Sequence, residues 1–482
     1  MIDAREIMDM ATRMSLQPHV VEKDYVLGWM LAGINNHPAL RDAWVFKGGT
    51  CLKKCFFETY RFSEDLDFTL RDEAHLDDGF LKATFAEIGE WIYENAGIEI
   101  PPDLLAFDIY TNPRGSTSCQ GKASYRGPMR QGANPRNLPR IKLDLTADER
   151  LVLAPVSVPV FHPYSDTPDG GIQITAYAYE EVFGEKVRAL AERTRPRDLY
   201  DVINLFRHVE ALPAPAVLLN VVAQKCEFKG RALPVLADFD PHREELQSLW
   251  ENMLAHQLPV LPPYDQYWDE LPAFFAWLAG GDAPVMPAAY AIGQGETVLR
   301  ERVLNLRASP EVQSMIEIIR FAAANRLLVE LDYDSSTRRI EPYSLRRTRD
   351  GNVVLHAFNT DKGEHRSYRI DRMRGARVTN TGFVPRYEIE LSPQGPVRIA
   401  DTAARAQPRP APAAAPRAFG VTRRPARAKA VKPFGQPTYV YQCPLCQKKF
   451  RRNRMDGSLN AHKNDWGGQC SGRTGYLVET KY

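Results

Sequence analysis

The chain has 482 residues, too many for one hydrophobic core, so two to four domains are expected. Lys and Arg (62) nearly balance Asp and Glu (60), and a formal charge of +2 excludes a uniformly basic nucleic-acid binder, leaving local charge clusters to carry that signal. No apolar run reaches membrane-span length, MIDAREIMDM is too charged for a signal peptide, and seven cysteines in so long a chain do not make a disulfide scaffold, so a cytoplasmic protein with no membrane partner is expected.

In chain order, PHVVEKDYVLGWMLAGI has apolar residues at helical spacing. WVFKGG reads as a short strand and a glycine turn, and TCLKKCFF as a helix starting there. SEDLDFTL is a second strand and LKATFAEIGEWIYENAG a second long helix. Residues 112–140, rich in Gly, Pro and Arg, are expected to be largely loop, with a strand possible at Ala123–Tyr125. RIKLDLTAD returns to strand. Two helices split near Pro196 follow, and helix continues to about residue 280. EVQSMIEIIRFAAANR is helix, and LLVELDY onward is a series of short alternating strands with turns at Asp334–Ser336, Asp350–Gly351 and Asp361–Gly363, as in a small β-barrel. Residues 396–437 are Ala, Pro and Arg and read as a flexible basic linker.

The chemistry concentrates in KGGT followed by SEDLDF. Asp65 and Asp67, two apart on a strand, project to one face, where their mutual repulsion calls for a hard divalent cation, Mg²⁺ or Mn²⁺. Gly48, Gly49 and Thr50 form a turn that lets backbone approach phosphate oxygens. Asp144, on a third strand, completes the metal shell or serves as base. Ser63 binds a metal-side water or shapes the strand start, and Cys51 and Cys55 read as small core residues. Six basic residues between Arg114 and Arg140 steer an RNA or NTP or form a solvated loop.

Glycine turn, helix and alternating aspartates resemble the signature of the DNA-polymerase-beta-like nucleotidyltransferases, with Thr50 where Ser is frequent. EKDYVL, FKGGTCLKK, RFSEDLDF, IKLDLTADE, EKVRALAER and RPRDLYDVINL, over roughly residues 15–210, look like the successive motifs of the AbiEii/AbiGii nucleotidyltransferase toxins. The resemblance implies a two-layer α/β palm and metal-dependent transfer of NMP from an NTP, with the 3′ end of tRNA as an acceptor and translation blocked. It places Gly48, Gly49 and Thr50 on phosphates, Asp65 and Asp67 on metal, Lys186 on the triphosphate, and Asp198 beside Lys186 or near the base. Lys47, Arg61 and Lys142 are supporting cations, and a cognate antitoxin is an implied partner.

ANRLLVELDY, RRIEPYSL, GNVVLHAF and SYRIDRM resemble a WYL domain, an Sm- or SH3-like barrel that binds nucleic acid or nucleotide ligands, although Val353-Val354-Leu355 replaces the namesake tripeptide. Arg339, Tyr343, Arg369 and Arg372 are the positions carried over. At the C-terminus, Cys443, Cys446, His462 and Cys470 have the spacing of a C2HC zinc finger, with Phe450 and Leu459 as a mini-core. Arg451, Arg452 and Arg454 beside it suit RNA or DNA, with protein docking as the other reading.

The expected fold is therefore α+β and multidomain: a nucleotidyltransferase domain over 1–284 with a helical C-terminal part, a WYL-like barrel over 285–395, a basic linker over 396–437 and a zinc finger over 438–482. The expected function is a Mg²⁺-dependent nucleotidyltransferase toxin or antiphage effector. The alternative is a nucleic-acid-binding or ligand-sensing regulator that keeps the transferase fold as scaffold.

Overall fold

The computed structural model describes residues 1–391 and 438–481, apart from 58–60, 113, 130–136, 286, 292, 294, 300–307, 444, 447, 453–455 and 464–468. The expected linker at 396–437 lies outside the described residues.

Helices α1 (Ala4–Met14) and α2 (Pro18–Asn36) open the chain, α1 capped by the Asp3 side chain and α2 started by a proline at its first position. Strand β1 (Trp44–Lys47) runs directly into α3 (Gly48–Cys51) and a π-helical turn through Phe56, which buries Cys51 and Cys55 in the core. Then come β2 (Asp65–Leu70), α4 (Asp78–Ala96), β3 (Leu105–Thr111), β4 (Thr117–Ser124), β5 (Arg140–Thr146), β6 (Val156–Val160) and β7 (Ile172–Ala176). They form a seven-stranded sheet in the order β3-β4-β5-β2-β1-β7-β6. The β2–β5 and β1–β7 pairs are parallel and the other neighbours antiparallel. The strand β4 corrects the expectation of loop across 112–140. Its inward positions are Cys119, Gly121 and Ala123, too small to give an apolar alternation in the sequence. Gly121 is needed there, because a Cβ would lie 2.8 Å from the Phe107 ring.

One face of the sheet packs on α2 and α4. Phe85 of α4 meets Phe107 and Trp44, and Trp44 meets Phe68, all with ring centroids 5.3–5.9 Å apart. Helices α5 (Tyr179–Arg193) and α6 (Pro196–Arg207), split at Pro196 as expected, lead to α7 (Pro215–Phe228), α8 (Arg243–Leu254), α9 (Tyr264–Trp268) and α10 (Leu271–Leu278). This helical part closes on an aromatic cluster of Phe183, Phe206, Phe274 and Trp277.

Beyond β8 (Thr297–Val298), α11 (Pro310–Ala324) precedes β9 (Leu327–Tyr333), β10 (Ser336–Arg347), β11 (Val353–Asn359), β12 (Glu364–Arg369) and β13 (Met373–Gly382), in the order β12-β11-β10-β9-β13. The turns fall where the sequence placed them: Asp334, Gly351 and Gly363 all have positive φ. This unit is keyed to the first. Helix α11 packs on α1, and Asn325, 1% exposed, accepts hydrogen bonds from Tyr200 (2.8 Å) and Tyr267 (3.0 Å) on one side-chain oxygen. Arg326 and Arg207 share Glu270. The C-terminal unit holds β14 (Thr438–Gln442), β15 (Lys449–Arg452), β16 (His462–Lys463), β17 (Gln469–Cys470) and β18 (Tyr476–Lys481) in two small sheets.

Candidate active site

The parallel β2–β5 register sets Asp65 beside Lys142 and Asp67 beside Asp144. Since side chains alternate along a strand, Asp65, Asp67 and Asp144 emerge from one face, while Leu66, Phe68, Leu143 and Leu145 fill the core behind them. The three carboxylates expected from distant segments thus line one cleft of about 450 Å³. Burial pushes the Asp67 carboxyl up to about 7, and Asp144 and Asp65 press the same way against Lys47 and Lys186. Asp144 is also raised, by burial and then by Asp65. Crowded hard oxygens whose charge is disfavoured suit a divalent cation such as Mg²⁺ or Mn²⁺.

Gly48 sits at φ +83°, and a Cβ there would fall 2.1 Å from Asp67 Oδ2, so only glycine leaves that carboxylate in place. A Cβ at Gly49 would meet Ser63 Oγ at 3.0 Å and Arg61 Nη2 at 3.1 Å. Thr50 corrects the phosphate-contact reading. It is fully buried, and its hydroxyl donates to the Asp65 carbonyl (2.5 Å) and bonds Ser63 Oγ (3.0 Å). Its side chain ties the glycine turn to the start of β2; Ser63 lines the cleft while holding it.

The opposite wall comes from α5 and α6 and is cationic: Lys186, Arg188, Arg193, Arg195 and Arg197 line it. Asp198 pairs with Lys186 as expected, but a second acid, Asp201, holds it more closely. Lys186 Nζ lies 2.8 Å from Asp201 and 4.0 Å from Asp198, which also accepts both hydrogen bonds of Arg193 at 2.7 and 2.8 Å. Asp201, wholly buried, also takes Arg61 through both oxygens at 2.7 and 2.8 Å. Burial opposes its charge, yet Arg61 and Lys186 hold its carboxyl well below the usual range. Asp198 and Asp201 stand three apart on one helix, a spacing that shares a face, so RDLYD does carry a signal for both. Arg195 and Arg197 flank the helix start at Pro196; burial and then Arg61 press the Arg197 pKa down, a strain that an anion relieves.

Lys47 is held 3.2 Å from Glu185 and 3.7 Å from Glu149, whose charges outweigh burial and raise its pKa. Arg61 acts through the Asp201 clamp, and Lys142 stands 4.0 Å from Asp65. The basic segment is mostly paired: Arg114 with Asp148, Lys122 with Asp108 and Arg126 with Glu99, while Arg130 and Arg136 lie outside the described residues.

In the second unit, Tyr343 is fully buried, donates to Glu341 and packs edge-on against Phe383 and Tyr387. This corrects its reading as a ligand contact: it belongs to the core. Arg339 is exposed on β10, Arg369 pairs with Asp371 at 2.7 Å, and Arg372 is exposed.

At the C-terminus the ligand atoms of Cys443, Cys446, His462 and Cys470 lie within 4.8 Å of one another. His462 Nδ1 faces the Asn460 carbonyl at 2.8 Å, which leaves Nε2 on the thiol side, 3.2 Å from Cys446 Sγ. Gly472 is required beside them, as a Cβ would sit 2.4 Å from Cys443 Sγ. Three sulfurs and an oriented imidazole fit Zn²⁺. Phe450 and Leu459 pack there as expected. Arg451 pairs with Glu90 (3.1 Å) and Glu94 (3.7 Å) and covers the Tyr93 ring of α4 at 4.5 Å. Arg452 donates to the Ser458 carbonyl at 2.8 Å. Both have partners within the chain and remain partly exposed; Arg454 lies outside the described residues.

The sequence model of the family described as "Nucleotidyl transferase AbiEii toxin, Type IV TA system" matches residues 29–279, more than half of the chain, and the WYL domain matches residues 314–378. No curated protein matches significantly. Among solved structures, MenT4, a nucleotidyltransferase toxin from Mycobacterium tuberculosis H37Rv, is similar at 19% identity and a TM-score of 0.39, covering 58% of this chain and 89% of its own. Among the described residues no helix is long and apolar enough to cross a membrane.

Proposed function

The chain belongs to the AbiEii family of nucleotidyltransferase toxins of type IV toxin–antitoxin systems, and from that premise we propose that it transfers a nucleoside monophosphate from an NTP to the 3′ end of an RNA. Transfer RNA is the acceptor proposed first, with a block of translation as the outcome. The observation that carries this reading is the Asp67–Asp144 register with Asp65 on the same face, set opposite the cationic wall of α5 and α6.

In the proposed reaction the acceptor oxygen bonds to the α-phosphorus, the bond to the bridging oxygen of the β-phosphate breaks, and pyrophosphate leaves with that electron pair. Lys186, fixed by Asp201, and the arginines at 193, 195 and 197 neutralise the triphosphate. Gly48 and Gly49 allow close approach of the phosphates, and Asp144 takes the acceptor proton. A divalent cation on Asp65, Asp67 and Asp144 would supply charge stabilisation at the reacting oxygens. Zn²⁺ on the Cys443 cluster would supply folding energy to the C-terminal unit, and that unit and the WYL domain would locate substrate or sense a ligand. A cognate antitoxin and a cytoplasmic location complete the proposal.

The test is incubation with Mg²⁺, each labelled NTP and total RNA. Label should enter RNA and fall by at least about a hundredfold in Asp65→Ala and Asp67→Asn, in line with the loss of transition-state charge stabilisation. Binding of RNA with no transfer from any NTP would instead favour the regulator reading.

A further inference from the structure

The sheet face that carries the three carboxylates does not stop at them. Side chains on the same face continue outward across β5, β4 and β3, because the antiparallel registers place Gln120 beside Asp144, Lys122 beside Lys142, Asp108 beside Gln120 and Tyr110 beside Ser118. The opposite face of these strands is sealed by Phe107, Leu143 and Leu145. The outward face is open: Gln120, Arg140 and Lys142 are exposed, and Tyr110 is 44% exposed although it is a large aromatic at the rim of the cleft.

We infer that this face is the docking platform for the single-stranded 3′ end of the RNA acceptor, with Tyr110 as the residue on which a base stacks. The inference rests on the transferase reading above and adds to it the surface that the acceptor uses. Three features favour this occupant. The face is continuous with Asp144, where the acceptor hydroxyl must arrive, while the wall across the cleft is given to the triphosphate. Lys122 and Lys142 stand directly opposite each other on neighbouring strands, with Arg140 on the same face. Each lysine has a carboxylate near it on this face, Asp108 at 3.5 Å from Lys122 and Asp65 at 4.0 Å from Lys142, yet both ammonium groups stay open to solvent, where an anionic backbone can reach them. Tyr110 lies two strands from Asp144, about 10 Å across the sheet, which is within reach of a short unpaired end whose hydroxyl is at the carboxylates. Exposed aromatics flanked by cations on an open sheet are how single strands are held without sequence readout. In the C-terminal unit, Arg451 and Arg452 are already engaged with Glu90 and the Ser458 carbonyl.

The experiment uses the full chain, a short 5′-fluorescein-labelled single-stranded RNA with a free 3′ hydroxyl, and fluorescence anisotropy. Affinity for a labelled NTP is measured in parallel, and thermal unfolding confirms that each variant is folded. Tyr110→Ala should weaken RNA binding about tenfold or more, Tyr110→Phe should restore it, and Lys122→Glu should weaken it and flatten its salt dependence. NTP affinity should be unchanged in all three. RNA affinity equal to wild type in both Tyr110→Ala and Lys122→Glu overturns the platform while leaving Asp65-dependent transfer standing. Transfer to a polypeptide with no affinity for the RNA overturns it as well, and the same label assay then shows that the transferase reading survives. A wild-type protein that binds RNA on this face yet transfers nothing keeps the platform and removes the transferase reading.

Discussion

Asp201→Asn is the sharpest test of how the cationic wall is held. Asp201 is fully buried and makes contacts of 2.7 and 2.8 Å with Arg61 and of 2.8 Å with Lys186. Removing its charge leaves two buried cations without it, and breaking a buried pair costs about 3–5 kcal/mol. Asparagine keeps one oxygen acceptor, so about 3 kcal/mol is expected, which for a domain of this size lowers the melting temperature by roughly 6–12 °C. The pH dependence has a definite sign. Burial opposes the Asp201 charge, but Arg61 and Lys186 prevail and depress the folded pKa. The stabilisation is therefore complete above the unfolded carboxyl value of about 3.9 and is lost as pH falls below it. The gap between wild type and variant, followed by circular dichroism, should narrow by about 1 kcal/mol between pH 5 and pH 3. Nucleotidyl transfer should drop at least about tenfold because Lys186 loses its anchor. A variant that melts within about 1 °C of wild type at neutral pH, with a gap that ignores acid, would refute the reasoning.

Gly48→Ala should abolish measurable transfer while leaving the fold intact, since its methyl would stand 2.1 Å from Asp67 Oδ2; kinetics and a melting curve together check this. His162 is buried with neither ring nitrogen hydrogen-bonded among the described residues, and burial and then Lys54 outweigh Asp24 to hold its pKa down to about 3. Its folded state resists protonation, so stability should fall as pH drops below about 6.5, by up to about 1.4 kcal/mol per unit, and His162→Phe should flatten that limb in acid titrations followed by fluorescence. Cys446→Ser, or chelation of the wild type, should release zinc and open residues 438–481 to protease while the transferase melting transition stays in place; metal analysis and limited proteolysis report both. Asn325→Ala strips the shared acceptor from two buried tyrosine hydroxyls and should cost about 2–4 kcal/mol in thermal unfolding.

What the sequence made legible was local. Asp65 and Asp67 alternate within six residues of strand, and Cys443 and Cys446 fix a metal spacing by themselves. Asp144 could be named as a partner because IKLDLT repeats the same alternation, although its place beside Asp67 depends on a β2–β5 register that no local pattern encodes. Strand β4 was hidden because its inward residues are Cys, Gly and Ala, the glycine required by Phe107 on the neighbouring strand. Thr50 was misread because its hydroxyl is used by a carbonyl fifteen residues on. Asp198 was preferred to Asp201 for lack of any local signal to rank two acids on one helix face; the side chain of Arg61, 140 positions away, decides it. Arg451 illustrates the same limit, since its partners are on α4.

The seating of α1 on α11, and of the α6 tyrosine on Asn325, bears on how such a toxin is born. A nascent chain emerging from the ribosome has its glycine turn and all three aspartates outside long before residues 310–325 are made. Until then the N-terminal helix lacks its seat and the helix bearing Asp198 and Asp201 lacks its far support. At roughly 5–20 residues per second, the wait from residue 201 to residue 325 is on the order of ten seconds. The transferase domain therefore receives its last packing support only after most of the polypeptide has been synthesised, and a message cut short before the WYL segment yields a product without that brace.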